Sequence, residues 1–496
     1  MKINLAKVSF GKSSAEKERD TLPDYFVPTQ AYKNARNTGR KKLFYIGYRG
    51  SGKSALFNQL AHEYSDNNNN IVLQITPTDY SYDAFKRLKH DIYDIKAAYS
   101  VAWNYTLLIQ IFIEILDHFQ RQGVPRKHEK NLEEIKNYLK DNEYIDYEGR
   151  LEIFLHFLKR IAVSKINFKI DSKLTVSGEI GERTREISSL FNMGEIRKAQ
   201  KALENILRSY SVHIFIDELD TGWNNTKEAV NFISGLISAT IKLNGMSGLN
   251  IYVSLRQDMY KNLSEIFRDT EKLRDDIEVL KWDYKSLENL ICQRIKSCKE
   301  VKEKRKHYKF MRNEQVVECV FEPGAFEYLV QHTLNRPREV IHFCSLSLDS
   351  FIESAVEEDY IRYRLDLDII KGVEKRFSTE RLEDFCKEYE DELPGIKELL
   401  SAFEGGKKIF NKADFILAVE EILFEMHESH PEIDWITDFL DKPEKFFEKL
   451  FHIGFVKISI NGDGVFYAYY DHIPLSFRNV KKVQINNMFL PALQCL

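Results

Sequence analysis

The stretch KLFYIGYRGSGKS at residues 42–54 decides the fold of this chain. Its apolar residues predict a buried strand that ends at Gly47. The GxxxxGKS pattern that follows predicts a phosphate-binding loop that opens a helix over about residues 53–64. Gly50 and Gly52 lack side chains, so backbone N–H groups can close around an anion there. The sequence therefore predicts a nucleotide-binding α/β protein.

The residues of this loop have predicted tasks. Lys53 supplies a positive charge to the outer phosphates of ATP, Ser54 offers its hydroxyl to Mg²⁺, and the helix dipole favours the anion. ATP and Mg²⁺ are the predicted cofactors. The predicted nucleotide-binding residues are Gly47, Tyr48, Arg49, Gly50, Ser51, Gly52, Lys53, Ser54 and Ala55.

Length and composition limit the remaining possibilities. At 496 residues the chain exceeds one compact core, so roughly two to four domains are expected. A formal net charge of −4 disfavours a surface adapted throughout to nucleic acid, although a local basic patch stays open. The six cysteines show no CxxC spacing, which argues against a zinc site or a disulfide scaffold.

Localisation follows from the apolar segments. The N-terminus turns polar too early for a signal peptide, and no apolar run is long enough to span a membrane. The most apolar segment, residues 105–119, is interrupted by Gln110, Glu114 and Asp117, which predicts a buried amphipathic helix. We therefore expect a protein of the reducing cytoplasm without a membrane partner.

A second segment, VHIFIDELD at residues 212–220, supplies acidic residues. Its apolar residues predict a central parallel strand, whose carboxyl end would lie at the same edge of the sheet as the loop. Asp217 is predicted to hold Mg²⁺ through water, and Glu218 to orient or deprotonate the attacking water. The alternative is an apolar strand that ends in a solvated acidic turn.

Two more strands, residues 70–76 and 249–255, complete a predicted doubly wound parallel sheet. Arg256 follows the second of them, where a cation can sense the γ-phosphate in its own subunit or in a neighbouring one. The alternative is a surface arginine that pairs with Asp258. Weaker candidates, which fit a solvated helix face, are Arg268 and Arg274.

A long insertion, about residues 84–210, separates the second strand from the third. Helical periods cover residues 84–122, 151–164 and 187–210, so the insertion is predicted to be mainly helical. Residues 166–180 alternate in polarity and predict a hairpin.

Helical patterns also dominate residues 282–377, which are predicted to form a lid domain. The string NRPRE at residues 335–339 would start a lid helix. Arg338 is the first candidate for a lid arginine that contacts the nucleotide, and Arg336 is the second. The alternative is a capping turn with solvated arginines. A basic stretch at residues 294–312 fits nucleic-acid binding or, preferably, a solvated loop.

Residues 378–496 predict three helices followed by a hairpin, an arrangement that describes a winged-helix domain. The hairpin strands are expected at residues 455–460 and 465–471, joined by the turn NGDG. The third helix carries lysines that could enter a major groove, but glutamates dilute its charge, so DNA binding and docking onto protein both stay open. The predicted domains are an ATPase core at 1–281, a helical lid at 282–377 and a winged helix at 378–496.

Taken together, these motifs resemble bacterial P-loop ATPases of the AAA+ and STAND-like class, related in architecture to the origin-recognition ATPases. Matching segments occur in the same order along nearly the whole chain: FGKSSAEKERDTLPDYFVPT, YIGYRGSGKSALF, FIDELDTGW, VSLRQDMY, LKWDYKSLENLICQRI and NRPREVIHF. The resemblance implies the same roles for the loop, the acidic strand and the lid arginine, and places Tyr25 and Phe26 near the adenine. Asn335 departs from a common glycine, and Tyr48 with Arg49 replace a basic pair.

Members of this class often occur in prokaryotic mobile or antiviral defence loci, and the resemblance implies such a setting here. The residues predict a Mg²⁺-dependent ATPase without a visible effector domain. We therefore expect an ATP-driven switch that controls a separately encoded effector protein, its own homo-oligomeric assembly, or both. The alternative is a DNA-binding ATPase of the initiator or loader type. A small-molecule phosphotransferase is disfavoured because it would need neither the insertion nor the winged helix.

Overall fold

The computed structural model describes residues 3–37, 41–76, 95–142, 144, 153, 193–219, 226–260, 273–298, 302, 311–357, 363–460, 462, 464–471 and 476–495. The chain divides into two compact units. The sheet unit comprises Pro28–Tyr48 and Lys53–Leu280, and the helical unit comprises Met1–Val27, Arg49–Gly52 and Lys281–Leu496. The glycine-rich loop therefore leaves the sheet unit at Arg49 and the chain returns to that unit at Lys53.

The described part of the sheet unit contains a five-stranded sheet with the order β2-β3-β4-β1-β5, and its neighbouring strands are parallel. The strands are β1 (Phe44–Gly47), β2 (Asn70–Ile75), β3 (Ser211–Ile216), β4 (Leu249–Arg256) and β5 (Ile277–Val279). The helices are α1 (Gln30–Arg36), α2 (Lys53–Ser65), α3 (Ile95–Gln122), α4 (Glu129–Asp141), α5 (Met193–Leu207) and α6 (Lys227–Leu243). The predicted α/β class with a parallel sheet is confirmed.

The two faces of the sheet bury different side chains, because successive residues of a strand point to opposite faces. On one face, Tyr45 and Phe215 lie against Phe57 of α2, with ring centroids 5.5 Å and 5.3 Å from that of Phe57. On the other face, aliphatic strand residues belong to the core that includes α3 and α6. There Trp103 of α3 donates from Nε1 to the carbonyl oxygen of Phe232 at 3.1 Å. The sheet is thus covered on both faces, as a parallel sheet requires.

The insertion is helical where the structure describes it. Of the residues predicted to be helical at 84–122, residues 95–122 form α3, and of those at 187–210, residues 193–207 form α5. Residues 84–94, 187–192, the hairpin at 166–180 and all of 151–164 except Ile153 lie outside the described residues. Within the described chain, one helix, Ala98–Gln122, is long and apolar enough to cross a membrane, but 72% of its most apolar window is buried inside the protein. Such burial is typical of a core helix.

The helical unit is built from its own helices and a small sheet. Its helices are α7 (Tyr284–Ser297), α8 (Asn313–Val317), α9 (Ala325–Gln331), α10 (Pro337–Glu357), α11 (Leu367–Tyr389), α12 (Ile396–Ser401), α13 (Lys412–Ser429), α14 (Asp434–Leu440), α15 (Pro443–Ile453) and α16 (Leu490–Leu493). Helix α11 runs without interruption across residue 378, where a domain boundary is predicted from the sequence. Helix α14 was not predicted.

The C-terminal sheet differs from the predicted hairpin. Strand β8 (Lys482–Ile485) lies between β6 (Ile409–Asn411) and β7 (Val456–Ser459), and both pairs are antiparallel. The expected second strand, residues 465–471, contributes only a bridge between Tyr467 and Ile458. It goes no further because the Asp471 carboxylate accepts the N–H of Ala468 at 2.7 Å, and the chain turns into a 3₁₀ helix.

A buried ion pair attaches the N-terminal segment to α7. Arg294 donates from Nη2 to Glu18 Oε2 at 2.8 Å, and the two side chains are only 5% and 4% exposed. The guanidinium also lies 4.6 Å from the ring centroid of Tyr25. Because a charge is expensive to bury without its partner, this pair fixes the path of the N-terminal segment.

We expect Glu18→Ala to lower the free energy of unfolding of this unit by roughly 3–5 kcal/mol, because it leaves Arg294 buried without its carboxylate. The control Asp24→Ala removes an ion pair with Lys302 whose side chains are 61% and 50% exposed, and should cost under about 1 kcal/mol. Urea unfolding of both variants checks this. Equal losses in the two variants would contradict it.

A histidine inside the aromatic face makes the sheet unit sensitive to acid. His213 of β3 stacks on Tyr64 with ring centroids 4.0 Å apart, and burial lowers the pKa of His213 to about 4. The unfolded chain, with a histidine pKa of about 6.5, binds this proton more readily than the folded chain does. Stability is therefore lost as the pH falls from about 6.5 towards 4.

We expect His213→Phe to reduce this acid sensitivity, because the ring can keep its stacking and no longer titrates. Thermal unfolding followed between pH 7 and pH 4 should give a shallower decline in the variant than in the wild type. The exposed His430→Phe substitution is the control and should leave the slope unchanged. Parallel curves for His213→Phe and the wild type would show that His213 does not contribute.

Candidate functional site

The glycine-rich loop connects β1 to α2. Gly47 is the last residue of β1, and Lys53 is the first residue of α2. The Lys53 Nζ donates to the carbonyl oxygens of Gly47 and Tyr48 at 2.9 Å and 3.1 Å. Ser54 follows in the first turn of the helix and is partly exposed, as is the next residue, Ala55. Lys53 is therefore held over the carboxyl end of β1.

The predicted acidic residues lie at the carboxyl end of β3, the same edge of the parallel sheet. The backbone N–H of Asp217 donates to the carbonyl oxygen of Ile75 at 3.0 Å, and the Ser254 hydroxyl of β4 donates to the Asp217 carboxylate. Glu218 has a φ of 58°, a backbone conformation that is rare for a residue with a side chain. Strain of this kind concentrates at functional sites.

Arg256 ends β4 and is aligned in register with Gly47 of β1. It is 7% exposed and forms a two-point ion pair with Asp258, with Nε 3.0 Å from Oδ1. The pairing with Asp258 that the sequence offered as an alternative is thus present, but the arginine is buried rather than on the surface. Its role as a phosphate sensor stays a prediction.

The loop residues Arg49–Gly52 belong to the helical unit. Gly50 and Gly52 have φ values of 77° and 91°, which only glycine adopts without strain. The Trp282 Nε1 donates to the carbonyl oxygen of Ser51 at 2.8 Å. The Arg338 N–H donates to the carbonyl oxygen of Gly50 at 3.4 Å, and a Cβ on Gly50 would lie 3.0 Å from the Cβ of Arg338. The start of α10 therefore packs directly on the loop.

The two arginines of NRPRE have different environments. Arg338 is partly exposed and donates from Nε to the carbonyl oxygen of Ser13 at 3.3 Å. Arg336 is buried and donates to Glu388 at 3.1 Å and to the Tyr469 hydroxyl at 3.2 Å. The alternative of a capping turn with solvated arginines is therefore wrong for Arg336.

The charges around Arg336 explain why it can be buried. Glu339 lies 3.7 Å away, and its carboxylate also accepts the N–H of Leu334 at 2.7 Å. Burial disfavours the charged guanidinium, but Tyr469 and the neighbouring carboxylates outweigh it and raise the pKa of Arg336 above its ordinary value. Burial also raises the pKa of Tyr469 to about 12, so this hydroxyl stays protonated at neutral pH.

The described residues give no support to the weaker candidates for a phosphate sensor or to nucleic-acid binding by the basic stretch. Arg268 lies outside the described residues, and Arg274 is exposed in a 3₁₀ helix. In the basic stretch, Arg294 is committed to Glu18, while residues 299–301 and 303–310 lie outside the described residues.

The predictions from the sequence did not include two residues that contact the site: Ser254, which donates to Asp217, and Trp282, which donates to Ser51. Ser254 is a polar residue between the apolar Val253 and Leu255 of the strand LNIYVSLR, which is a signal that could have been noticed. Trp282 follows β5 and contacts the loop only because of the fold, so no local pattern could have identified it.

The residues of the sheet unit fit a magnesium ion that also contacts phosphates. Mg²⁺ bound to a nucleotide needs only one or two protein oxygens, because phosphate oxygens and waters complete its shell. Asp217 offers a carboxylate that Ser254 orients, and Ser54 offers a hydroxyl. Among the described residues no group of three or more His, Cys, Asp or Glu side chains could hold a metal by itself.

Comparison with known proteins gives two similarities. Residues 285–386 match the FunZ-associated C-terminal helical domain, a stretch that includes Arg336 and Arg338. The chain is also 24% identical over 484 residues to the "Putative transposon gamma-delta 80.3 kDa protein" of Escherichia coli (strain K12). This alignment covers 92% of the chain and 63% of that protein, so the chain spans less than two thirds of the length of this distant homologue.

Asn335 stands where the class of ATPases that the sequence resembles often has a glycine, and its φ is 53°. Asparagine tolerates this left-handed conformation better than other residues with side chains. We expect Asn335→Ala to lower the free energy of unfolding by about 1 kcal/mol, whereas Asn335→Gly should be neutral within a few tenths. Chemical denaturation measures both. A loss in the glycine variant as large as in the alanine variant would assign the effect to the asparagine side chain instead of the backbone.

Proposed function

We propose that this protein binds ATP with Mg²⁺ and hydrolyses it. The observation that carries the proposal is the shared edge of the sheet: Lys53 lies over the carboxyl end of β1, and Asp217 with Glu218 follow the carboxyl end of β3. Ligands of open parallel sheets bind at this edge. Loop glycines with positive φ values, followed at once by a helix, add support because this geometry exposes backbone N–H groups to an anion.

Each residue of the site has its own role in the proposed binding and hydrolysis of ATP. Lys53, which donates to two backbone carbonyls here, would donate to the outer phosphates of ATP. Ser54 and Asp217 would hold Mg²⁺, which neutralises charge on the phosphates. Glu218, whose backbone has the strained φ of 58°, would accept a proton from the attacking water. Arg256 and Arg338 remain the proposed contacts to the terminal phosphate.

We also propose that ATP turnover works as a switch. The loop segment Arg49–Gly52 clusters with the helical unit, while its two flanks belong to the sheet unit. A conformational change in the loop would displace the start of α10 through the contact of Gly50 with Arg338. It would extend to α11 and Tyr469 through the hydrogen bonds of Arg336. The output would be control of a separately encoded effector or of homo-oligomeric assembly.

The biological setting is proposed from the resemblance and the relatives. The name of the E. coli relative assigns that protein to a transposon, which is compatible with the mobile or antiviral defence loci that the resemblance implies. A cytoplasmic location remains part of the proposal.

The alternative, a DNA-binding ATPase of the loader type, has less support. Lys449, one of the lysines of the proposed winged helix, pairs with Glu392 at 2.6 Å. On α13, Leu417 and Phe424 are 56% and 50% exposed beside a row of glutamates. An apolar surface with an acidic border favours protein docking and repels a phosphate backbone.

ATP binding and turnover by purified variants test the proposal. We expect Lys53→Ala to weaken ATP binding roughly ten- to a hundredfold, because a charged hydrogen bond is lost. Glu218→Gln should keep ATP binding and slow hydrolysis by about 10²–10⁴-fold. The exposed substitutions Lys33→Ala and Glu204→Gln serve as matched controls. Hydrolysis at the wild-type rate in Glu218→Gln would refute the assigned role, and absence of ATP binding by the wild type would refute the proposal itself.

A further inference from the structure

The helical unit contains a cavity of about 170 Å³ beside the start of α10. Its cationic lining residues are Arg49, Arg336, Arg338, Arg381 and Lys387. A water molecule occupies about 30 Å³ in the liquid, so the cavity has room for a small polyatomic anion and a few waters.

The lining has an excess of positive charge. Three carboxylates also line the cavity, those of Glu339, Asp384 and Glu388, which leaves a formal charge of +2. Glu339 and Glu388 are both committed to Arg336, at 3.7 Å and 3.1 Å. The excess therefore comes from the other lining cations, and a small anion would offset it.

Arg381 of α11 is the cation most suited to hold such an anion. Its side chain is 12% exposed, and Nη2 donates to the Asp384 carboxylate at 2.6 Å. The Nε–H is buried and has no hydrogen-bond partner among the residues that the structure describes. A buried N–H without a partner is costly, so the guanidinium of Arg381, which lines the cavity, has hydrogen-bonding capacity that its ion pair with Asp384 does not use.

We propose that this cavity binds an oxyanion of the phosphate class, with Arg381 as its principal ligand. Guanidinium groups match phosphate oxygens by parallel hydrogen bonds, which makes an arginine cluster more selective for phosphate than for chloride. Arg338 and Lys387 add positive charge around the anion. Arg336 also lines the cavity, but Glu339 and Glu388 offset its charge.

Two sources could supply this anion. One is the phosphate released by hydrolysis on the same chain, since Arg49 of the loop lines the cavity; this source rests on the proposed function. The other is a free phosphorylated compound, for which the proposed ATPase is not needed. The chemistry of the site is the same in both cases, and the rate of phosphate release after one turnover distinguishes the two sources.

Equilibrium dialysis of the full chain, free of nucleotide, with radiolabelled inorganic phosphate at fixed ionic strength tests the site. We expect Arg381→Gln to weaken phosphate binding roughly ten- to a hundredfold. Arg381→Lys should recover part of the affinity, because the charge remains. The matched control is Arg376→Gln on the same helix, 69% exposed and paired with Glu380, which should bind as the wild type does. Lys53→Ala removes the cation of the glycine-rich loop and should keep the phosphate binding that depends on Arg381.

Two results would overturn the proposal. Unchanged phosphate affinity in Arg381→Gln would remove the site, and loss of binding in Lys53→Ala would move the anion to the glycine-rich loop. If Arg381→Gln does not fold, the exposed Lys387→Gln is the second variant. It should bind phosphate several-fold more weakly, most clearly at low ionic strength, and unchanged affinity there would equally count against the cavity.

A single turnover with ATP labelled in the γ-phosphate identifies the source. If the cavity takes the product, Arg381→Gln will release phosphate faster than the wild type while its ATP affinity stays the same. If it takes a free compound, the release rate will not change although added phosphate still binds through Arg381. Phosphate binding in a protein that does not hydrolyse ATP would support the cavity and reject the ATPase, so the two proposals fail separately.

Discussion

The burial of one positive charge, that of Arg336, constrains the architecture of the helical unit. A guanidinium away from water is stable only with carboxylates and hydroxyls arranged around it. Here these come from α10, α11 and the 3₁₀ helix that carries Tyr469, and a further contact reaches the carbonyl oxygen of Arg49 at 3.5 Å. Segments that are distant in sequence must therefore keep a common geometry, and Arg338, two residues further on, is held against Gly50 as a result.

The sequence predicted well those elements whose signal is local. The strand before Gly47, the strand before Asp217 and the helix that begins at Lys53 all follow from apolar patterns and loop glycines, and the structure contains them. Asn335, the residue before Arg336, adopts a left-handed conformation that asparagine tolerates better than most residues with a side chain.

The remaining features depend on contacts that no local pattern encodes. The pairing of Arg294 with Glu18 joins residues 276 positions apart, and Trp282 reaches Ser51 across 231 positions. The same reason explains the error at residues 465–471, because a distant strand, β8, pairs along β7 in place of the expected hairpin partner. Residues 461 and 463 of the predicted turn lie outside the described residues. The sequence predicted which residue types gather at the sheet edge, but not which neighbours orient them.

The buried pair of Glu18 and Arg294 also has a consequence for synthesis of the chain. Translation proceeds at about 5–20 residues per second, so Arg294, 276 positions after Glu18, appears roughly 14 to 55 s later. During this interval the sheet unit, which ends at Leu280, can be completed, whereas Glu18 has no arginine to pair with. Glu18 is thus synthesised well before the arginine that its buried carboxylate pairs with.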